Sequence, residues 1–169
     1  MKIVCLIRHA KSSWDQAGLA DIDRPLNERG KATAPIMADV LEKKGLKPDL
    51  IISSPAKRAR QTAKFFRKKF GIKKSEMQIE PGIYHGDENS ILELLRNIPD
   101  TIHTVFLFGH NPTMNYLSSM FSDHGLHIPT CGVQHLEFNI GSWAQLLPDK
   151  TALKEFIYPK QFIPEESND

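Results

Sequence analysis

A chain of 169 residues can bury one real core, and it is expected to form a single domain over residues 1–163 with a polar tail at 164–169. The 22 basic and 20 acidic side chains nearly cancel to a net +2, so neither a general grip on nucleic acid nor one on a membrane surface is implied. No apolar run approaches the ~20 residues of a membrane span, and the two cysteines, Cys5 and Cys131, form no CxxC, which excludes a zinc ribbon or disulfide framework and points to a reducing cytoplasm.

Residues 2–8 read as a buried strand that stops at the cationic pair Arg8-His9. The apolar run is too short and ends too abruptly for a secretory leader. Residues 11–24 form a polar loop with Trp14 and Leu19 as its apolar points, Trp14 being expected to anchor it by burial. A helical region runs from Pro25-Leu26-Asn27 to about Lys44, where Pro35 should kink it or split off its first turns, and Gly45 is a good stop. Leu50-Ile51-Ile52 is the centre of a second strand. Ser54-Pro55 then reads as helix cap and first helical residue, opening a helix to about Phe70 with Ala59, Ala63, Phe66 and Phe70 on one face.

Residues 76–79 are a weak strand, residues 81–89 a loop, and residues 90–97 a short helix with Ile91, Leu94, Leu95 and Ile98 inward. Residues 104–108 are a strong strand. Gly109-His110-Asn111-Pro112 turns it into a helix reaching about Phe121, with Asn111 as the cap. Residues 122–132 are loop, and residues 133–140 and 152–158 are the last strands. Strands alternating with helices imply an α/β three-layer sandwich whose central sheet is mostly parallel and flanked by helices on both faces.

Three of these strands end alike. Arg8-His9, Ser53-Ser54-Pro55 with Arg58 just beyond, and Gly109-His110 would share one carboxyl edge of a parallel sheet, the edge where α/β proteins bind ligands. Two of the ends open helices, whose N-termini attract anions. Two guanidinium forks, Arg8 and Arg58, can hold the oxygens of a phosphoryl group, whose transfer needs mainly positioning and charge neutralisation. A neutral imidazole can be the nucleophile, and the neighbouring arginines should depress the His9 pKa, so activity should fall on the acid side before about pH 5. No carboxylate cluster with metal spacing is present, and neither a metal nor another cofactor is expected.

These motifs resemble the histidine phosphatase superfamily of phosphoglycerate-mutase-like proteins. The family's Arg-His-Gly stands as Leu6-Ile7-Arg8-His9-Ala10, its second element as Ser54-Pro55-Ala56-Lys57-Arg58-Ala59-Arg60-Gln61-Thr62-Ala63, and its second histidine as Gly109-His110-Asn111-Pro112. The small size and the Arg-His-Ala-Lys-Ser form are similar to the short bacterial SixA-type phosphohistidine phosphatases. The resemblance implies catalytic roles for His9 as the phosphorylated nucleophile and for Arg8, Arg58 and His110 as the pocket around it.

Ala10 replaces the family glycine, at a cost if a positive φ is needed there. Asn111 in place of an aspartate argues against the acid-phosphatase branch. A general acid could come from Glu80, Asp87 or Glu88, or be absent. A P–N bond, more labile than an ester, would tolerate its absence.

Lys11 and Asn111 are candidate substrate-binding residues, and residues 11–14 with 21–27 a candidate rim. His85 is a weak candidate for contact with the leaving group. The basic run Lys64, Arg67, Lys68, Lys69, Lys73 and Lys74 reads as a solvated face or a dock for an acidic partner, and His103, His124, His127 and His135 carry no assignment. The expected activity is that of a monomeric cytoplasmic phosphatase, acting on a phosphorylated protein or a small phosphorylated substrate. A small-molecule phosphomonoesterase and a non-catalytic phosphate-binding module are the alternatives.

Overall fold

The structure, a computed structural model, describes residues 1–123 and 127–164. The expected tail, apart from Pro164, and His124 lie outside the described residues. The first strand, β1 (Lys2–Arg8), buries both faces. Val4 and Leu6 face one apolar core, Cys5 and Ile7 the other. A continuous apolar run with no polar alternation is what such a two-sided strand requires.

The helix α1 (Glu28–Lys43) is capped by Asn27, whose Oδ1 accepts from the Gly30 N–H at 2.8 Å. Gly30 is required for a steric reason: a Cβ there would lie 2.1 Å from the Lys11 carbonyl oxygen. Contrary to expectation, α1 runs unbroken through Pro35. The ring removes one bond to the carbonyl of Lys31, an exposed residue, where solvent can replace it.

After β2 (Leu50–Ser53) the chain makes a turn before α2 (Lys57–Lys69) begins. Ser54 therefore does not cap the helix; Ala56 holds that position, and the Ser54 hydroxyl accepts from the Ala56 N–H at 3.2 Å. Beyond β3 (Met77–Ile79) the stretch expected to be loop contains a single helical turn, α3 (Gly82–His85), and Asp87 caps α4 (Glu88–Arg96). The strand β4 (Thr104–Gly109) leads into α5 (Thr113–Phe121). Here Pro112, not Asn111, is the cap residue; the Asn111 Oδ1 caps nothing, and its amide donates to the Ile128 carbonyl at 2.9 Å. The chain closes with β5 (Val133–Phe138) and β6 (Leu153–Ile157).

The sheet has the order β3-β2-β4-β1-β5-β6. The pairs β3-β2, β2-β4 and β4-β1 are parallel, while β5 runs antiparallel to both β1 and β6. The sheet is thus mostly parallel with β5 reversed, and the β5–β6 connection needs no crossover helix because that pair is antiparallel. On one face α1 and α2 pack through Met37, Leu41, Ala63 and Phe66. On the other, α4 and α5 pack through Ile91, Leu95, Leu117 and Phe121. These are the two outer layers of the expected sandwich.

Register decides the site. Arg8 pairs with Gly109, and Ser53 with Phe108. The next backbone bonds, His9 N–H to Gly109 O at 3.1 Å and Ser54 N–H to Phe108 O at 3.0 Å, bring three strand ends level.

Candidate active site

His9 is the first residue past β1, and only 7% of its surface is exposed. Its Nδ1 lies 2.7 Å from the Ala10 carbonyl oxygen. A carbonyl can only accept, so Nδ1 carries the proton and Nε2 keeps its lone pair. The Arg58 Nε–H points at that Nε2 from 3.4 Å. Ala10 shows no positive φ, the only described non-glycine residue with one being Cys131, so the replacement of glycine carries no backbone strain. The Ala10 N–H is fixed by the Thr62 hydroxyl at 2.9 Å, which ties the segment after His9 to the helix that supplies Arg58.

His110 faces His9 across 5.2 Å between ring centroids. Its Nε2 is 2.6 Å from the Ser54 hydroxyl, and its Nδ1 is buried without a partner. Arg8 donates through Nη1 to the Ile128 carbonyl at 3.0 Å, the acceptor that Asn111 also uses, while its buried Nε has no partner. No carboxylate lies within ion-pair distance of Arg8 among the described residues. A half-buried guanidinium without a counter-ion, beside an unpartnered imidazole nitrogen, is electrostatically unfavourable unless an anion joins it. Four chemistry-bearing side chains from three separate strand ends are thus brought to one edge of the sheet.

Burial pushes the His9 imidazole down to about 3; the bond to the Ala10 carbonyl opposes this, and the charges of His110, Arg58 and Arg8 add to it. Burial, then Arg58, brings His110 down to about 4. The expectation that the arginines would dominate is corrected: desolvation is the larger cause, and it moves the titration well below pH 5.

A carboxylate missed as a site residue completes the arrangement. Asp21, in the 3-10 turn Asp21–Asp23, accepts from Arg58 Nη2 at 3.0 Å and from the Tyr84 hydroxyl at 2.8 Å, and pairs with Arg24 Nη1 at 3.0 Å. The Asp21 carbonyl takes Arg58 Nη1 at 2.8 Å. Arg58 is therefore gripped at both Nη atoms, and its Nε is left facing His9. Partial burial alone would raise the Asp21 pKa, but the bonds from Tyr84 and Arg24 and the charge of Arg58 hold it down at about 2. Tyr84 also sets its ring edgewise against His110 at 5.6 Å. The expected rim at residues 21–27 contained Asp21, but nothing local distinguished it from Asp23. No local signal marked Tyr84.

The other candidates are placed as follows. Lys11 is exposed and lines a groove of about 760 Å³ with Arg29, Thr33 and Pro129, and no bond joins its side chain to the histidines. Glu80 accepts from the Gly82 N–H at 3.1 Å, and Asp87 is committed to capping α4. Glu88 lies in the first turn of α4. His85 is exposed and packs edgewise on Tyr84. Trp14, expected to be buried, is 76% exposed. In the basic run, Lys69 pairs with Asp39 and Glu42 of α1, and Arg67 donates to the Ile72 carbonyl. No cluster of three metal-ligating side chains occurs among the described residues, and no described helix is long and apolar enough to cross a membrane.

Comparison with known proteins bears on this geometry. A profile of the histidine phosphatase superfamily (branch 1) matches residues 4–85. An uncharacterized chloroplast protein of Arabidopsis thaliana is 35% identical over 149 residues, 83% of this chain and 68% of its own. A crystal structure from Agrobacterium tumefaciens, assigned as the phosphohistidine phosphatase SixA, superposes with a TM-score of 0.76 at 33% identity, covering 94% of this chain and 98% of its own. The protein histidine phosphatase SixA in complex with tungstate shares the fold at a TM-score of 0.73 and 20% identity, over 92% of this chain and 94% of its own. With the profile, the relatives and the six-stranded fold in agreement, the chain belongs to the histidine phosphatase superfamily and is a phosphatase by class.

Proposed function

We propose that the protein removes the phosphoryl group from phosphohistidine on a partner protein, by way of a phosphohistidine formed at His9. The observation that carries this reading is the His9 tautomer: with the proton held at Nδ1 by Ala10, the Nε2 lone pair faces the Arg58 Nε–H. In the first step Nε2 attacks phosphorus, the substrate P–N bond breaks, and its electron pair leaves with the substrate imidazole, which takes a proton from solution. Water then attacks the phosphorus on His9, releasing inorganic phosphate, a proton and neutral His9. Arg8, Arg58 and His110 bind the phosphoryl oxygens and neutralise charge as it develops. In this reading Asn111 steadies Arg8 through the shared Ile128 carbonyl, and Lys11 adds positive charge at the rim.

Substrate class follows from the acids. Asp21 is held ionised, Asp87 is spent on a helix cap, and Glu80 binds backbone. An alkoxide leaving group needs a positioned proton donor, whereas imidazole does not. That favours a P–N substrate over an alkyl ester. Two guanidinium groups supply the positive charge, so the reading uses no metal. Every group comes from one chain, so a monomer suffices, and two buried free thiols suit a reducing cytoplasm.

The test is acid-labile phosphate trapped on the protein during turnover of a phosphohistidine peptide. It is expected on wild type and lost in His9→Ala, with turnover falling roughly 10⁴-fold or more. Equal rates in the two proteins would overturn the reading. Faster turnover of alkyl phosphate esters than of the peptide would overturn the substrate class alone.

A further inference from the structure

Beside the phosphoryl pocket lies a smaller one. Ser13, Trp14, Gln16, Leu19, Arg24 and Pro25 line about 170 Å³, with Asp21 forming the wall shared with the catalytic centre. One carboxylate oxygen of Asp21 binds Arg58, whose Nε lies 3.4 Å from His9 Nε2. The other oxygen pairs with Arg24. The two pockets are thus one residue apart.

Trp14 is the prominent surface here. The Arg24 guanidinium sits over its ring, with the guanidinium carbon 3.2 Å from the ring centroid. Arg24 cannot move aside: it is buried, and its nitrogens donate to Ser13 O at 3.0 Å, Asp21 Oδ1 at 3.0 Å and Ser12 Oγ at 2.7 Å. A large apolar ring on a loop ordinarily turns inward to escape water. This one is pinned to a fixed cation by one face and kept open to solvent on the rest. A rigid, exposed aromatic beside a reactive centre has the character of a binding anchor, since little conformational entropy remains to be lost on contact.

The size and lining of the pocket define what fits. Metabolite sites typically span about 300–1,000 Å³, so 170 Å³ takes one side chain and not a whole small molecule. Both charges in the wall, Asp21 and Arg24, are already paired, and the remaining contacts are indole, leucine, proline and neutral amide or hydroxyl groups. We propose that this pocket receives an apolar or aromatic side chain of the substrate protein, close in sequence to its phosphorylated residue, and that Trp14 thereby selects protein substrates over free phosphorylated metabolites. This rests on the phosphatase reading given above.

The test compares two P–N substrates: phosphoramidate, which carries nothing beyond the reacting group, and phosphohistidine peptides with leucine or glycine beside the phosphorylated residue. Wild type is expected to prefer the leucine peptide, and Trp14→Ala to lower the ratio of its kcat/KM to that of phosphoramidate about tenfold, mainly through KM, with Trp14→Phe restoring most of it. An unaltered ratio overturns the proposal. A binding measurement guards against a misfolded variant. The chain has two tryptophans, and Trp143 is fully buried, so external quenchers report on Trp14. In His9→Ala, saturating leucine peptide should cut quenching by acrylamide at least about twofold. Unchanged quenching with bound peptide overturns the subsite while leaving the phosphatase intact. Wild type inactive on both substrates overturns the phosphatase reading and the subsite together.

Discussion

The two ends of β1 each hold a cation, one buried and one half-buried, and they are treated in opposite ways. At the start, Lys2 is 1% exposed, and its ammonium donates to the Asp100 and Ile102 carbonyls at 2.6 and 2.9 Å and sits over the Trp143 ring at 5.4 Å. Everything that charge needs is supplied by the fold. At the finish, Arg8 has a single neutral acceptor and a buried Nε with none, and His110 beside it has an unpartnered Nδ1. A satisfied buried cation is architecture; an unsatisfied one is a demand for an anion. Both stand on one seven-residue strand, so strand position alone does not mark a site.

The contrast can be broken most sharply at Arg58. Arg58→Ala removes a fork aimed at His9 and, on the proposed reading, should lower kcat about 10²–10³-fold, some 3–4 kcal/mol of transition-state stabilisation, with the fold intact by circular dichroism. Arg58→Lys should recover little, because one ammonium cannot hold Asp21 at two points and still face His9. Lys2→Met tests the opposite end. Two carbonyls lose a charged donor, so denaturant titration should show a loss of about 2 kcal/mol, while kcat/KM stays within about twofold of wild type. An activity loss there comparable to that of Arg58→Ala would erase the distinction.

Asp21→Asn probes what joins the site to its rim. Asp21 is half-exposed, so solvent screening limits its value to about 1 kcal/mol, and kcat should fall about fivefold with little change in melting temperature. The last effect is an absence. With His9 near 3 and His110 near 4, the free enzyme keeps both imidazoles neutral, and kcat/KM should stay flat from pH 7 to pH 5. An acid limb centred at pH 6–7 would show that His9 is not desolvated.

Stability should move instead. The unfolded chain takes up these protons near pH 6.5 and the folded chain only near 3 and 4, so between those values folding weakens as pH falls. His9 alone accounts for about 2 kcal/mol between pH 7 and pH 5. His9→Asn should flatten that part of the melting curve against pH.

Sequence reading located the quartet because each member sits within two residues of a strand end or in a first helical turn, and such ends announce themselves locally. It failed where a local rule met a distant partner. Ser54 and Asn111 look like helix caps in any five-residue window, yet Ser54 serves His110, 56 residues away, and Asn111 serves Ile128, 17 residues away. Trp14 was expected inside by its type. It stands outside because Arg24, itself locked in place, offers a cation to stack on.

The amino-acid order by itself determined the family, the two-sided central strand and the four candidate side chains gathered at the strand ends, since these rest on hydrophobic runs and short motifs read over a few residues. Tertiary structure alone decided that Asp21 grips Arg58 across 37 residues and Tyr84 across 63, that burial outweighs neighbouring charge on both imidazoles, and that a tryptophan marks the rim. Desolvation and long-range hydrogen bonds exist only once the sheet has closed and the helices cover it, so no local pattern encodes them.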